Sequence, residues 1–413
     1  MSKFPRKITL EAWAEENNLS FQTAYNLYQT NNIPFKTQLT REGNIWVWPK
    51  KPVRSIKLNI KWATLSKKKR IASILEAYQS AVNFYIKSLW ETKGEVDAST
   101  LARLTNTRLT ERFKSNALRQ ALNIVVSTKL SAKALKVTAQ CPVFNGGAKL
   151  DAKFIKIENN KKTKDFDTWI TLSTLKKRKQ ISLPTKATAV LNKWLAVTDA
   201  KLIQGCELHP DFVICWVELP FDTIKAEGDI LAGDLGENKL LVDSNHTFYG
   251  QDEYKAILNK LRRRQRGSKN YKQTCIERNN YTNRILKQIP WDSLRFFGNE
   301  DLSGIKKGKT GLKKSKAFRK ARVPWNQGWV RTRIYHKAQE NRVLPVAYDP
   351  RNTSRTCPKC NEVHKRNRQG ELFRCVFCGY TEDADFVGAA NGFVLTCRIL
   401  GSLESPRATK DET

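Results

Sequence analysis

Apolar residues at helical spacing predict two short helices near the start of the chain. Thr9 and Ser20 each precede such a run and can cap the two helices. The segment from Leu39 to Trp48 then alternates on either side of a Glu-Gly-Asn turn, which predicts a hairpin. Two helices joined by a three-residue turn have the geometry of a helix-turn-helix. We therefore predict a winged helix-turn-helix at residues 1–50, and a structural or dimerising module is the alternative. The side chains placed to meet base edges are Gln22, Thr23 and Asn26.

Between residues 53 and 225 the hydrophobic period changes twice. Alternating residues predict a strand at 53–62, and apolar positions at helical spacing predict helices at 67–92 and between 99 and 136. From about residue 137, short alternating runs separated by turn residues return. This pattern is typical of a small β-barrel made of 53–62 plus 137–225, with a helical lobe at 63–136 inserted into it.

Three carboxylates stand at the ends of predicted elements in the C-terminal half. Asp234 interrupts an apolar strand, Glu300 ends another strand, and Asp385 begins an apolar helix. A buried Asp is costly unless its charge meets a cation or hydrogen-bond donors, so Asp234 alone indicates either a metal ligand or a structural acid. If both strands belong to one sheet, the three acids can converge on two divalent cations about 3.5–4 Å apart, an arrangement that hydrolyses phosphodiesters. Carboxylate oxygens favour Mg²⁺ or Mn²⁺ as these cations.

Four of the nine cysteines have the spacing of a metal site. Cys357 and Cys360 form one Cys-x2-Cys pair, Cys375 and Cys378 form a second, and fourteen residues separate the pairs. Such thiolates suit one tetrahedral Zn²⁺, which favours a zinc ribbon over four unrelated thiols. The other five cysteines are scattered and odd in number, which indicates a reducing compartment, and the N-terminus does not read as a signal peptide. We expect a cytoplasmic, nucleoid-associated protein.

The formal charge of +35, from 74 Lys and Arg against 39 Asp and Glu, indicates a polyanionic partner. Nucleic acid is favoured over an anionic membrane, because no apolar run approaches the roughly 20 residues that a spanning helix needs. Aromatic residues also alternate with the basic ones, which suits base stacking. A solvated face is the alternative for any single basic run. The basic helical region after Asp234 is predicted to follow phosphates through Arg262, Arg263, Arg264, Arg266, Lys269 and Lys272.

The order of these motifs resembles TnpB, the transposon-encoded relative of type V CRISPR effector nucleases. The residues that carry the resemblance are Asp234-Leu-Gly, Glu300-Asp-Leu, Thr353-Ser-Arg-Thr-Cys-Pro-Lys-Cys360, Cys375-x2-Cys-Gly379 and Asp385-x3-Ala-Ala-Asn391. It covers residues 53 to about 400. The segment before it resembles the winged helix-turn-helix of MerR and excisionase proteins and is additional to the TnpB layout. The resemblance implies that Asp234, Glu300 and Asp385 bind catalytic Mg²⁺ or Mn²⁺ and that the four cysteines bind structural Zn²⁺.

The resemblance also implies a multidomain α+β fold and an activity. An RNase H-like RuvC nuclease domain would occupy 226–356 plus 381–400, the zinc ribbon 357–380 and a tail 401–413. The β-barrel would be the wedge domain, and the inserted helices the recognition lobe. A guide RNA would direct cutting of double-stranded DNA beside a short target-adjacent motif.

Two other functions stay open at this point. One is a transposase that joins strands with the same acids, and the other is an RNA-guided repressor that binds DNA without cutting it. A homodimer formed through residues 1–50 is a further option for the assembly.

Overall fold

The computed structural model describes residues 6–91, 108–135, 137–159, 165–176, 178–221, 223–301 and 325–401. The chain divides into two compact units. Met1–Lys50 and Phe221–Thr413 form the first unit, and Lys51–Pro220 form the second. The start of the helix expected between 99 and 136 and nearly all of the expected tail lie outside the described residues.

The helices are α1 (Leu10–Glu16), α2 (Phe21–Gln29), α3 (Leu65–Glu91), α4 (Glu111–Leu135), α5 (Ala189–Leu195), α6 (Asp252–Arg263), α7 (Lys269–Ile285), α8 (Gln327–Glu340) and α9 (Ala384–Leu400). The strands are β1 (Ile8–Thr9), β2 (Lys36–Leu39), β3 (Ile45–Trp48), β4 (Val53–Asn59), β5 (Ala148–Asp151), β6 (Ile155–Asn159), β7 (Thr168–Ser173), β8 (Gln180–Thr185), β9 (Lys201–Leu208), β10 (Phe212–Glu218), β11 (Asp229–Asp234), β12 (Leu241–Asp243), β13 (Phe248–Tyr249), β14 (Leu294–Glu300), β15 (Leu344–Tyr348), β16 (Arg368–Gln369), β17 (Leu372–Arg374) and β18 (Thr381–Asp383).

A five-stranded sheet forms the centre of the first unit, in the order β13-β12-β11-β14-β15. Strands β11, β14 and β15 run parallel, and β12 and β13 are antiparallel additions on one side. Leu231 and Phe297 lie in a core with residues of α6, α7 and α8, and α9 packs on the sheet as well. A Cβ at Gly298 would collide with the side chain of Thr396 in α9. The absence of a side chain at Gly298 therefore allows α9 to pack closely on β14.

The N-terminal segment shares a hydrophobic core with this sheet. Trp13 of α1, Leu27 of α2 and Val47 of β3 cluster with Phe296 and Leu344. The predicted helices and hairpin are present, and β1 adds a third strand in the order β1-β3-β2. We expected a separate small module, but a segment of this size can bury only part of its apolar surface by itself. Packing against the sheet buries the rest, so the segment belongs to the first unit.

Hydrogen bonds fix this N-terminal segment to edge strand β15 and to the chain before β11. The side-chain amide of Asn32 donates to the carbonyl of Ala347 at 3.0 Å, and its oxygen accepts from the Ala347 amide at 2.6 Å. Asn32 thus pairs with edge strand β15 as a neighbouring strand would. The side-chain oxygen of Asn17 accepts from the amide of Ile224 at 2.8 Å. Buried polar groups paired in this way specify one docking geometry.

The second unit contains two antiparallel sheets, β4-β10-β9-β5 and β6-β7-β8. The predicted strands are present, but within the described part of this unit they do not close into the predicted barrel. The chain turns sharply between Asp151 and Phe154, so β6 leaves the edge of the first sheet. Its contact with β9 uses a side chain, because the amide of Ile157 donates to Oε1 of Gln204 at 3.1 Å. A closed barrel requires a main-chain ladder at that position.

Helices α3 and α4 pack together in the second unit, and α3 confirms the helix predicted at 67–92. The Tyr78 hydroxyl on α3 donates to Oε1 of Gln120 on α4 at 2.9 Å. That oxygen also accepts from the amide of Lys149 in β5 at 3.1 Å. The buried polar contact holds the helical pair on the sheet.

Candidate metal and nucleic-acid sites

The three predicted acids come together at the carboxyl ends of the central parallel strands. Asp234 and Glu300 end the neighbouring parallel strands β11 and β14, whose register pairs Gly233 with Asn299. Asp385 lies in the first turn of α9, which packs on β11. Helix α9 packs closely against Asp234, because a Cβ added at Gly388 of α9 would lie 2.7 Å from Oδ2 of Asp234.

Burial and mutual repulsion change the acidity of this group. Burial raises the pKa of Asp234 well above its usual range, and the charges of Glu300 and Asp385 raise it further. Burial also raises the pKa of Glu300 to about 7, against a hydrogen bond from Thr353 and the nearby charge of Arg368. Buried carboxylates that repel each other provide a strong site for a cation.

Two basic side chains hold Asp385 from outside the group of acids. Nη2 of Arg368 donates to Oδ1 of Asp385 at 2.9 Å, and Nζ of Lys239 lies 3.6 Å from Oδ2. Lys239 also forms an ion pair with Asp383. Burial lowers the pKa of Lys239, but its hydrogen bond with Asp383 and the charge of Asp385 outweigh that effect, so the net shift is upward.

Asp383 has a different task from Asp385. Its Oδ1 accepts from the amides of Asp385 at 3.0 Å and Phe386 at 3.1 Å, which caps the N-terminus of α9. The cap orients the turn from which Asp385 projects. Of the two aspartates, Asp385 is the one whose carboxylate interacts with Asp234 and Glu300.

The acids and the cysteines differ in how tightly their ligand atoms cluster. Among the residues that the structure describes, the four cysteines form the group of three or more candidate ligands whose atoms all lie within 4.8 Å of one another. The three carboxylates do not all lie within that distance of one another. A pair of cations about 3.5–4 Å apart can bind carboxylates on opposite sides, so a two-cation site does not require all of its ligands to lie within this distance.

The four cysteine sulfurs are arranged as one tetrahedral site requires. Sγ of Cys357 lies 3.6 Å from that of Cys378, and Sγ of Cys360 lies 3.5 Å from that of Cys375. Zn–S bonds of about 2.3 Å place sulfurs at nearly this separation. The amides of Cys378 and Phe377 lower the pKa of Cys375 to about 6, whereas burial raises the pKa of Cys357 to about 12, so metal binding would release a proton from Cys357. The cluster can therefore hold zinc.

Side chains of the loop before Cys357 connect the two sites. The Thr353 hydroxyl donates to Oε1 of Glu300 at 3.1 Å. The Asn391 amide on α9 donates to the carbonyls of Thr353 at 2.7 Å and Thr356 at 2.8 Å. Sequence reasoning did not assign Thr353, Lys239 or Arg368 to the site. Two of them carried a signal: Thr353 begins a motif that resembles TnpB, and Arg368 lies between the two cysteine pairs.

The predicted basic region forms two helices, α6 and α7, joined at residues 264–268. Arg262 forms an ion pair with Glu237, and Arg264 donates to the carbonyl of Asn270 at 2.7 Å. The remaining predicted residues are exposed at the end of α6, in the connection and at the start of α7, and they are Arg263, Arg266, Lys269 and Lys272.

The predicted base-reading residues of α2 lie close to the C-terminus of α9. The Thr23 hydroxyl donates to the carbonyl of Leu400 at 2.9 Å, so this side chain is turned toward the protein. Gln22 is exposed and donates to Oδ1 of Asn26 at 2.9 Å. A role for these residues in reading DNA, and the winged helix-turn-helix itself, stay predictions.

Comparisons with known proteins find one family model in the C-terminal half and several similar proteins. Residues 328–391 match the family described as Cas12f1-like, TNB domain. The CRISPR-associated endodeoxyribonuclease Cas12f1 of Sulfoacidibacillus thermotolerans is 34% identical over 68 residues, which is 16% of each chain. The Cas12f1 of Syntrophomonas palmitatica is 33% identical over 113 residues, 27% of this chain and 21% of the relative. The matched segments thus span about a fifth of these relatives or less.

Two solved structures are similar at lower identity. A Cas12f1–sgRNA–target DNA complex has a TM-score of 0.47 and 15% identity, covering 79% of this chain and 82% of its own. The mini-RNA-guided endonuclease CRISPR-Cas_phi3 has a TM-score of 0.46 and 10% identity, covering 87% and 94%. No helix among the described residues combines the length and apolar character needed to cross a bilayer. The sequence matches confirm the resemblance read from the motifs: the chain is a relative of the TnpB and Cas12f proteins.

Proposed function

We propose that this chain is an RNA-guided DNA endonuclease of the TnpB type, which hydrolyses phosphodiesters beside a short target-adjacent motif. The observation that supports it most is the placement of Asp234, Glu300 and Asp385 at one sheet edge, from segments far apart in sequence. A carboxylate buried beside two others is unfavourable for folding alone, so the arrangement is better explained by a cation-dependent reaction.

The side chains divide the work at this edge. Asp234, Glu300 and Asp385 would hold Mg²⁺ or Mn²⁺. A pair of such cations supplies an activated water and neutralises charge on the leaving oxygen. Arg368 and Lys239 hold the Asp385 carboxylate in place. Cys357, Cys360, Cys375 and Cys378 would hold structural Zn²⁺ and thereby position Arg368, which lies between the two pairs.

The remaining parts receive roles by the same proposal. The first unit would contain an RNase H-like RuvC domain and a zinc ribbon, and the second unit would contain wedge and recognition elements. Guide RNA and target DNA together present many phosphates, which accounts for a charge of +35. Arg263, Arg266, Lys269 and Lys272 are exposed and would contact those phosphates.

The test is cleavage of a supercoiled plasmid by protein purified with its bound RNA. Sequencing that RNA gives the guide, and the plasmid carries the matching target with randomised flanks. We expect linear product with Mg²⁺ and none with chelator. Asp234→Ala should abolish cutting while RNA and target binding persist. Cutting by Asp234→Ala would remove this residue from the site.

The same assay separates the alternatives. A transposase would give joined strands and would act without RNA, and a repressor would bind the target and leave it intact. Three acids placed together favour cutting over binding alone, because a repressor does not need them.

A further inference from the structure

The small sheet of the N-terminal segment has two unlike faces. In β3, Ile45 and Val47 are buried in the core shared with Phe296 and Leu344. Because side chains alternate along a strand, Trp46 and Trp48 lie on the opposite face, where both are only partly buried. The tryptophans therefore contribute little to the docking of the segment on the central sheet.

Basic and amide side chains surround the two tryptophans. Nζ of Lys7 lies 3.9 Å from the ring centroid of Trp46 and 5.7 Å from that of Trp48. Nζ of Lys36, which pairs with Trp48 across the sheet, lies 5.0 Å from the Trp48 ring. Gln38 pairs with Trp46 and is exposed. We call Lys7, Lys36, Gln38, Trp46 and Trp48 the tryptophan face.

We propose that the tryptophan face binds single-stranded DNA, with bases stacked on the two rings and phosphates on the two lysines. Unpaired bases expose the flat surfaces that aromatic rings stack on, whereas the bases of a duplex already stack on each other. Residues two apart in a strand are separated by about 6.6 Å, which leaves each ring room for its own base. The ammonium groups then lie beside the backbone of the same strand.

The lysines over the rings do not prevent this binding. A cation–π contact at an exposed site changes a binding constant by roughly two- to fivefold, whereas a base stacked on an aromatic side chain contributes roughly five- to a hundredfold. A base therefore displaces an ammonium group from a ring, and the flexible lysine side chain can move to a phosphate. The two lysines and the overall charge of +35 favour a polyanion over an apolar protein partner.

The choice of DNA over RNA rests on the proposed function. When a guide pairs with one strand of a target, the other strand is displaced as single-stranded DNA. The N-terminal segment belongs to the same compact unit as the three acids. A stacking surface on that unit would hold the displaced strand after the duplex opens.

The experiment measures binding of a fluorescent thymidine homopolymer to the full chain carrying Asp234→Ala, with no guide or target added. Combined Trp46→Leu and Trp48→Leu should weaken binding at least tenfold, and Trp46→Phe with Trp48→Phe should stay within about threefold because the rings remain. The matched control is Trp90→Leu, since Lys129 lies 5.2 Å from the Trp90 ring. It should leave binding unchanged.

Two further measurements keep the proposal testable if the leucine variant folds poorly. Lys7→Gln with Lys36→Gln should make the plot of log binding constant against log salt concentration less steep, by about one to two in slope. Photo-crosslinking of 5-bromouracil DNA to the Asp234→Ala chain should label Trp46 or Trp48. Unchanged binding in a folded leucine variant, an equal loss at Trp90, no crosslink, or an equal loss of RNA or duplex binding in the leucine variant would each overturn the proposal. None of these outcomes depends on cutting, so failure here is distinct from failure of the proposed nuclease.

Discussion

Replacing Glu300 by Gln should stabilise the protein at pH 8 when divalent cations are removed. The side chain is largely enclosed, and burial is the main reason why its pKa rises from 4.5 to about 7. Between these values the folded state binds a proton that the unfolded state has released, so stability falls as the pH rises through this window. Above pH 7 the folded state must hold the ionised carboxylate. Gln keeps an oxygen for the Thr353 hydroxyl and removes the charge.

The size of the effect follows from the shift in pKa. Each pKa unit corresponds to about 1.4 kcal/mol, so a rise from 4.5 to about 7 corresponds to about 3 kcal/mol. The variant loses the favourable interaction of Glu300 with Arg368, and the remaining acids adjust their own protonation. We therefore expect the free energy of unfolding to rise by about 1–3 kcal/mol at pH 8. Near pH 5 the folded wild type keeps its proton and the gain should be much smaller.

Thermal unfolding followed by near-ultraviolet circular dichroism, in chelator at pH 5 and pH 8, measures this difference. A unit of this size should melt about 2–4 °C higher per kcal/mol gained. Added Mg²⁺ should then stabilise the wild type more than the variant, because only the wild type keeps all three acids. The control is Glu15→Gln at an exposed position of α1, which should change stability by less than about 0.5 kcal/mol. A Glu300→Gln protein that melts no higher than wild type at pH 8 would refute the electrostatic account of the site.

Three other substitutions test the packing at the acids, the cysteine cluster and the docking of the N-terminal segment. Gly388→Ala should abolish Mg²⁺-dependent cutting with little change in RNA binding, because its Cβ would lie 2.7 Å from Oδ2 of Asp234; intact cutting would contradict this placement. Cys375→Ser should lose bound zinc, measured by elemental analysis, and most of its cutting activity. Full activity without zinc would show that the acids do not depend on the cysteine cluster. Asn32→Ala should destabilise the first unit by about 1–3 kcal/mol in denaturant titration, since it leaves the Ala347 amide unpaired, and an unchanged midpoint would show that water replaces the contact.

Local patterns predicted the parts of the site that depend on short stretches of chain. Asp234 was predicted because an acid in an apolar strand is unusual, and the cysteines because their spacing is specific for one metal. The contact between Asn32 and Ala347 joins residues 315 positions apart, and no periodicity marks it. Similarly, Lys239 looks like any solvated lysine in a basic chain until β11 and α9 bring it beside Asp385.

The expected barrel was wrong for a related reason. Alternation shows that a segment is a strand but does not show which edge it pairs with. The turn before β6 and the contact through Gln204 decide that two sheets form. The same ambiguity led us to expect an independent N-terminal module. The apolar faces of α1 and α2 are equally consistent with a small hydrophobic core of their own and with packing against a larger one.

Helix α9 connects the separate parts of the first unit. Its first turn carries Asp385 and packs, through Ala384 and Val387, in a cluster with Cys357 and Cys375. Its other end, about 25 Å away at 1.5 Å per residue, accepts the hydroxyl of Thr23 from the N-terminal segment. Because its backbone hydrogen bonds make a helix stiff, the contacts at both ends of α9 together determine the position of Asp385 relative to the sheet. Loss of metal at the cysteines should therefore displace the carboxylate of Asp385. Loosening of the N-terminal segment should displace the same carboxylate from the other end of the helix.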